Sequence, residues 1–265
     1  MSYLETFTLS LVQGITEFIP ISSSGHLVIV PYLMNFDKPS LFFDILVHIG
    51  TLFAVVFFLR KEIWSILHGI FQKSQAQASW RLILKIALAL VPAGIAGLFL
   101  KDSLEALFFR PDMVGWAYFG TATILFLMVL FYKGKKTMQT ITWMDALVIG
   151  IFQSMALVPG FSRSGFTLFG ALIMGMERRE AFRFSFLISI PAIIGAFILE
   201  LQGHEYFPLS FGISATALIV SALSGLIAIV ALKHFLKKSQ LHWFGFYCLA
   251  LGIVLVSLAS TGNLG

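Results

Sequence analysis

Two apolar stretches that break halfway constrain this chain more than any other feature. Residues 3–36 and 145–177 are oily at both ends, yet each is interrupted by a Pro/Ser/Gly cluster, FIPISSSGH at 18–26 and VPGFSRSGF at 158–166. The breaks leave arms of roughly 12 to 18 residues, too short to cross about 30 Å of hydrocarbon. Six other stretches are unbroken and long enough: near 41–59, 82–100, 113–132, 182–201, 213–232 and 243–260. With 58% hydrophobic and 12% charged residues, the chain is read as an integral membrane protein. Backbone inside a bilayer must satisfy its hydrogen bonds within one segment or in a closed sheet, and no series of alternating ten-residue segments points to a barrel. The expected class is all-α: a polytopic membrane protein with six full transmembrane helices and two re-entrant helical hairpins at the broken stretches, folded as one membrane domain over 1–265.

Lys and Arg in the connecting loops set the orientation. Loop 60–81 carries Arg60, Lys61, Lys73 and Arg81; 133–144 carries Lys133, Lys135 and Lys136; 178–183 carries Arg178, Arg179 and Arg183; 233–242 carries Lys233, Lys237 and Lys238. These are expected on the cytoplasmic side. The net acidic loop 101–112, with Asp102, Glu105 and Asp112 against Lys101 and Arg110, and the loop 202–212, with Glu205 and no Lys or Arg, are expected outside, as are both termini. Six crossings satisfy all of these assignments only if each broken stretch returns to the side it entered from. The net charge of +5 thus reads as topology, not as nucleic-acid binding. The single cysteine, Cys248, sits in an apolar run and offers no disulfide or CxxC site. The opening MSYLET has no basic region and no cleavage site, so no removable signal peptide is expected.

The two breaks align with each other. Setting 13-QGITEFIPISSSGH-26 over 153-QSMALVPGFSRSGF-166 at a constant offset of 140 matches Gln13 with Gln153, Ser22 with Ser162, Ser24 with Ser164 and Gly25 with Gly165. Each half then holds one hairpin and three spans, an odd number of crossings that inserts the second half upside down. The expected organisation is an inverted repeat of 1–135 and 140–265, with the broken helices facing each other near the midplane.

Chemistry is concentrated at these breaks. Gln13 and Glu17 are four residues apart and share a helix face. Pro20 ends that arm, Ser22, Ser23 and Ser24 supply caps for the next, and Gly25 lets the chain turn. Pro159, Gly160, Ser162, Arg163, Ser164 and Gly165 repeat the logic, so two helix N-termini would offer free N–H groups to one anion. An ionised group at this depth costs at least about 2.5–3.5 kcal/mol, which calls for a partner and a role. A Glu17–Arg163 ion pair that merely locks the halves is the bland reading; the surplus of hydroxyls, His26 and paired helix dipoles exceeds what such a lock requires. Arg grips phosphate bidentately, and a diphosphate between the loops would leave the site a cation short. A hard divalent ion, Mg²⁺ or Ca²⁺, on Glu17 and Gln13 would close that gap. For the nucleophile, Ser23 activated by Glu17 or His26, and His26 itself, both stay open.

These residues also carry a resemblance. The segments 13-QGITE-17, SSSGH through His26 and 159-PGFSRSGFT-167 resemble the (E/Q)xxxE and PGxSRSxxT motifs of the undecaprenyl pyrophosphate phosphatase family of bacterial membranes. The likeness extends over FDILVHIGTLFAV at 43–55 and FSFLISIPAIIGA at 184–196. It implies a hydrolase of the bacterial inner membrane that converts C55 polyprenyl diphosphate to the monophosphate and phosphate. It further implies Mg²⁺ or Ca²⁺ activation, recycling of the carrier lipid for peptidoglycan synthesis, and bacitracin resistance. Carried over by position, Glu17, His26 and Arg163 form the catalytic set and Ser23 is nucleophile or its partner. Ser162 and Thr167 are then phosphate contacts; Ser22, Ser24, Gly25, Gly160 and Ser164, the caps and turns of the two loops, are further candidates to hold phosphate, and Glu17 and Gln13 to hold the metal; many members carry Glu where this chain has Gln13. The expected partners are the lipid substrate and the bilayer, with a homodimer as the candidate assembly. Asp44 and His48 lie four apart on the first span and are candidates to face the cavity. The rival reading is a transporter or flippase of an anionic polyprenyl lipid, because inverted repeats with midplane helix ends also build transporters.

Overall fold

The computed structural model describes every residue except 38, 101, 102, 104–106, 108, 109, 132, 201–208 and 262–265. The described residues form eleven α-helices and a short 3₁₀ turn, and no strand. In chain order these are α1 (Tyr3–Phe18), α2 (Ser23–Met34), α3 (Leu41–Phe58), α4 (Arg60–Phe71), α5 (Ala76–Phe99) and α6 (Pro111–Leu127, extended by the 3₁₀ turn Met128–Phe131). They continue with α7 (Trp143–Met155), α8 (Arg163–Ile173), α9 (Arg178–Glu200), α10 (Phe211–Lys237) and α11 (His242–Ser260).

Six segments are long and apolar enough to cross a membrane: Leu41–Phe58, Ala76–Phe99, Asp112–Phe131, Arg178–Ile198, Phe211–Lys237 and His242–Ser260. They coincide with the six spans read from the sequence, and the protein is a multi-pass membrane protein. The two broken stretches fold as short helix pairs, α1 with α2 and α7 with α8. At 1.5 Å per residue their helices reach about 24, 18, 20 and 17 Å, short of the roughly 30 Å hydrocarbon layer.

Local chemistry explains where these helices stop. Ser2 and Glu5 close a capping box at the start of α1, with Glu5 N–H donating to Ser2 Oγ at 3.2 Å and Ser2 N–H to Glu5 Oε2 at 2.6 Å. Ile19, preceding Pro20, is extended at φ −63°, ψ 135° and ends α1. Thr142 and Asp145 form the equivalent box at the start of α7.

Small residues let the helices approach closely. A Cβ on Gly14 of α1 would meet Ser221 O of α10 at 2.6 Å, and one on Gly50 of α3 would meet Leu218 O of α10 at 2.6 Å. Thus α10 is clamped between α1 and α3, as expected where lipid supplies no hydrophobic drive between helices. The main core runs beneath both helix pairs, joining Phe18, Tyr118, Phe166, Leu168 and Phe184.

One expectation for a loop is replaced by structure. The cations of 60–81 predict a loop, but Arg60–Phe71 is the helix α4, with Trp64 70%, Leu67 48% and Phe71 86% exposed. Helical spacing puts these apolar groups on one side, the pattern of a helix lying in the interface. The charge readings at Lys101, Asp102, Glu105 and Glu205 lie outside the described residues.

Candidate functional site

The two breaks meet. Glu17 lies in the last turn of α1, and its Oε1 accepts a hydrogen bond from Arg163 Nη2 at 2.5 Å. Ser23, the first residue of α2, donates its hydroxyl to Glu17 Oε2 at 2.5 Å, and Gln13 Nε2 donates to the same oxygen at 3.1 Å. His48 Nε2 stands 4.0 Å away. One carboxylate therefore gathers α1, α2, α3 and α8. Only 8% of Glu17 is exposed.

Both loops are built by the same cap. Ser22 Oγ accepts from Gly25 N–H at 3.3 Å, and Ser162 Oγ accepts from Gly165 N–H at 3.2 Å. Ser22 and Ser24 hydroxyls are 3.3 Å apart, those of Ser162 and Ser164 3.2 Å. The remaining N–H groups of α2 and α8 are positive ends suited to an anion. Ser22 adopts φ 68°, a conformation that costs a non-glycine residue of order 1–3 kcal/mol and clusters at functional sites. It is held there from below: its carbonyl accepts from His26 Nδ1 at 2.7 Å and from Tyr118 hydroxyl at 3.4 Å. In the second loop Gly160 takes φ 96°, and Thr121 bridges the turn by donating to Gly160 O at 2.9 Å and accepting from Ser162 N–H at 3.1 Å.

Beside this cluster opens a cavity of about 630 Å³. Its polar lining is formed by Glu17, Ser23, Ser24, His48, Gln153, Ser162 and Arg163. Its long flank is apolar, from Ile45, Ile49 and Leu52 on α3, the stretch 90–98 on α5 and Pro191–Ile198 on α9. Gly94, Gly97 and Gly195 face open space there.

Of the sequence-derived candidates, Glu17, Ser23, Ser24, Ser162 and Arg163 thus line the cavity. Gln13, Ser22, Gly25, His26, Gly160, Ser164 and Thr167 do not line it, although Gln13 touches Glu17 directly. His26 Nε2 is 2.7 Å from Tyr247 hydroxyl and its Nδ1 is 3.0 Å from Tyr118 hydroxyl as well as bonded to Ser22 O, so both ring nitrogens are engaged away from Ser23. Thr167 is fully buried, donating to Arg163 O at 2.8 Å and paired with Ser185 Oγ, which anchors the first turn of α8. His48 faces the cavity, with its Nδ1 on Asp44 O at 2.7 Å.

Sequence reading missed Tyr118, Thr121, Ser185 and Tyr247, which reach the loops from distant helices. It also gave Gln153 no role. That residue is 3% exposed, lines the cavity, and among the described residues neither its Nε2 nor its Oε1 has a hydrogen-bond partner. The repeat explains why: Gln13 finds Glu17 four residues on, whereas Gln153 finds Leu157.

The donor set suits a hard cation. No group of three or more His, Cys, Asp or Glu is gathered among the described residues, so a closed metal cage is absent there. Gln13 Oε1 is buried without a partner among the described residues, however, and beside it Glu17 uses three of the roughly four acceptor positions of a carboxylate. Two protein oxygens completed by phosphate and water are what Mg²⁺ ordinarily takes.

Fold and site together define an integral membrane protein with a polar chamber, one carboxylate and one guanidinium at its centre, at the end of an apolar cavity. The chain belongs to the family described as Bacitracin resistance protein BacA, whose pattern matches residues 6–254. It is 42% identical over 246 residues to the undecaprenyl-diphosphatase of Thermosipho africanus, covering 93% of this chain and 96% of that relative. It is 38% identical to that of Carboxydothermus hydrogenoformans, covering 99% and 100%. It is 36% identical to that of Methanococcus vannielii, covering 92% and 96%.

Proposed function

We infer that this protein is an undecaprenyl-diphosphatase that removes the terminal phosphate of the C55 carrier lipid and so supports cell-wall synthesis and bacitracin resistance. The observation that carries the reading is the convergence of Ser23 and Arg163, from opposite loops, on Glu17 at the polar end of an apolar cavity. Head group and tail of a polyprenyl diphosphate require those two environments side by side. The six spans and the family support residence in the plasma membrane, and the loop cations support cytoplasmic placement of 60–81, 133–144, 178–183 and 233–242, with both termini outside. The matched caps at Ser22 and Ser162 and the shortness of α1, α2, α7 and α8 support two re-entrant hairpins and an inverted repeat of 1–135 and 140–265.

The terminal phosphate sits against the N-termini of α2 and α8, gripped by the guanidinium N–H groups of Arg163 not spent on Glu17. Ser23 passes its proton to Glu17 Oε2, and its Oγ attacks the terminal phosphorus while the anhydride P–O bond breaks. The products of that step are the lipid monophosphate, whose leaving oxygen takes the proton back from Glu17, and a phosphorylated Ser23. Glu17, again a carboxylate, takes a proton from water, whose oxygen attacks the phosphorus while the Ser23 Oγ–P bond breaks; inorganic phosphate leaves and Glu17 returns the proton to Oγ. His26 and Tyr247 hold Ser22, and through it the start of α2, in register. Gln153 donates its unpaired amide to the diphosphate. Gln13 Oε1 and Glu17 would hold Mg²⁺ or Ca²⁺, which supplies charge neutralisation of the diphosphate when bound. The prenyl chain leaves the cavity sideways between α5 and α9, past Gly94, Gly97 and Gly195.

The test is phosphate release by the purified protein in detergent with undecaprenyl diphosphate and Mg²⁺. Release of one phosphate per lipid is expected. Absence of release together with movement of labelled lipid across vesicles would make the protein a transporter.

A further inference from the structure

A second cavity, of about 730 Å³, lies away from the catalytic loops. It opens where α3 ends at Phe58, α9 begins at Arg178 and α10 ends at Lys237, the termini of three apolar spans. It therefore sits at the depth of lipid head groups, on the side that the loop cations assign to the cytoplasm. Seven Lys and Arg side chains line it against two carboxylates, Glu62 and Glu177, while Phe58, Leu59, Phe182 and Leu236 contribute apolar surface. The excess of five positive charges equals the formal net charge of the entire chain.

Internal pairing accounts for only three of these seven cations, one of them Arg178, which donates to Leu236 O at 3.4 Å, Lys237 O at 3.2 Å and Ser239 Oγ. Arg183 bridges Glu62 at 3.0 Å and Glu180 at 3.2 Å, and Arg60 donates to Phe57 O at 2.8 Å. Lys61, Arg179, Lys233 and Lys237 have no side-chain hydrogen bond or ion pair among the described residues; Lys233 has only the Phe58 ring, 5.8 Å away. Orientation by positive loops requires Lys and Arg near span ends, but it does not require them to converge on one concavity from three separate segments of chain. A cation cluster with an apolar wall between helix ends matches the phosphate and upper acyl chains of an anionic phospholipid, and cytoplasmic leaflets supply such lipids.

We propose that this cleft binds the phosphate head group of an anionic phospholipid, with Lys61, Arg179 and Lys233 as its principal contacts. The lipid would tie α3, α9 and α10 together at the face opposite the catalytic loops. Free phosphate shares the charge but not the acyl chains, so it should bind far more weakly.

Native mass spectrometry of the full chain, extracted from vesicles of phosphatidylglycerol and phosphatidylethanolamine in equal amounts, tests this. The ratio of retained phosphatidylglycerol to phosphatidylethanolamine should exceed about ten, against one in the vesicles, and that ratio is the enrichment. Each cation near the surface contributes roughly fivefold, so Lys61→Gln/Arg179→Gln/Lys233→Gln should lower that enrichment at least about tenfold. The variant should release phosphate from polyprenyl diphosphate at the wild-type rate in zwitterionic detergent, which shows that it is folded. Lys61→Arg/Lys233→Arg should keep the enrichment. Equal retention of both lipids by the wild type, unchanged enrichment in the Gln variant, or displacement of the lipid by millimolar inorganic phosphate would each overturn the proposal. Because the readout is retained lipid and not hydrolysis, its failure leaves the phosphatase reading standing.

Discussion

Arg163 Nη2 and Glu17 Oε1 lie 2.5 Å apart although 146 positions separate them in the chain. Both side chains are largely enclosed, at 20% and 6% exposure. Removing one partner of such a pair strands the other and costs about 3–5 kcal/mol, whereas replacing both with apolar groups recovers much of that. Arg163→Met should lower the unfolding temperature clearly, and Glu17→Leu/Arg163→Met should regain most of the loss without regaining activity. Thermal unfolding in detergent measures both.

Ser23 is the hydroxyl that touches Glu17, and it alone should carry the phosphoryl group. Ser23→Ala should abolish turnover. Ser24→Ala, which removes only a bond to Ser22, should lower it modestly. His26→Ala should retain measurable activity, since it loosens the Ser22 turn without removing the attacking oxygen. Intact-mass analysis of rapidly quenched wild type should show one added phosphoryl group that is absent from Ser23→Ala. A phosphorylated His26 in that experiment would contradict the assignment.

The two glutamines related by the repeat should separate by their partners. Loss of a hydrogen bond to a charged group corresponds to about 1.5–3 kcal/mol. Gln153→Ala should therefore raise KM about tenfold to a hundredfold with kcat nearly unchanged, and Gln153→Asn should recover part of it. Gln13→Glu places a second carboxylate beside Glu17 and should reduce the Mg²⁺ concentration needed for half-maximal activity. Steady-state kinetics across a metal titration reads both effects.

The apolar flank predicts a steric effect that depends on the lipid. Gly97 faces open space beside the cavity, so leucine there fits the fold but occupies the path between α5 and α9. Gly97→Leu should lower kcat/KM for the C55 diphosphate by at least about tenfold, since a 1.4 kcal/mol loss of tail burial suffices. A short water-soluble prenyl diphosphate should be affected less. Equal loss on both substrates would contradict the route.

What the sequence made legible was whatever is encoded within about four residues. Pro20 after Ile19, the Ser22–Gly25 cap and its copy at Ser162–Gly165 all act locally, so both breaks were visible, and so were six apolar spans longer than the bilayer is thick. The constant offset of 140 even paired Gln13 with Gln153. Tyr118 and Tyr247, by contrast, reach His26 from 92 and 221 residues away. Nothing in their neighbourhood distinguishes them from other aromatics in apolar helices. That Gln153 would be left unpaired depended on Leu157 standing where Glu17 stands in the first half, a substitution visible in the sequence but meaningless until the cavity was seen. Helix α4 was obscured because Arg60 and Lys61 mark a loop for topology while Trp64, Leu67 and Phe71 mark an interfacial helix, and one segment does both.

The most direct test of the central claim compares phosphate release by wild type, Glu17→Gln, Ser23→Ala and Arg163→Ala, each purified, shown to be folded, and supplied with undecaprenyl diphosphate at saturating Mg²⁺. Each substitution alone should lower kcat by at least about a hundredfold, the loss typical of removing a preorganised catalytic contact. Turnover within a few-fold of wild type in any folded member of that set would contradict the claim.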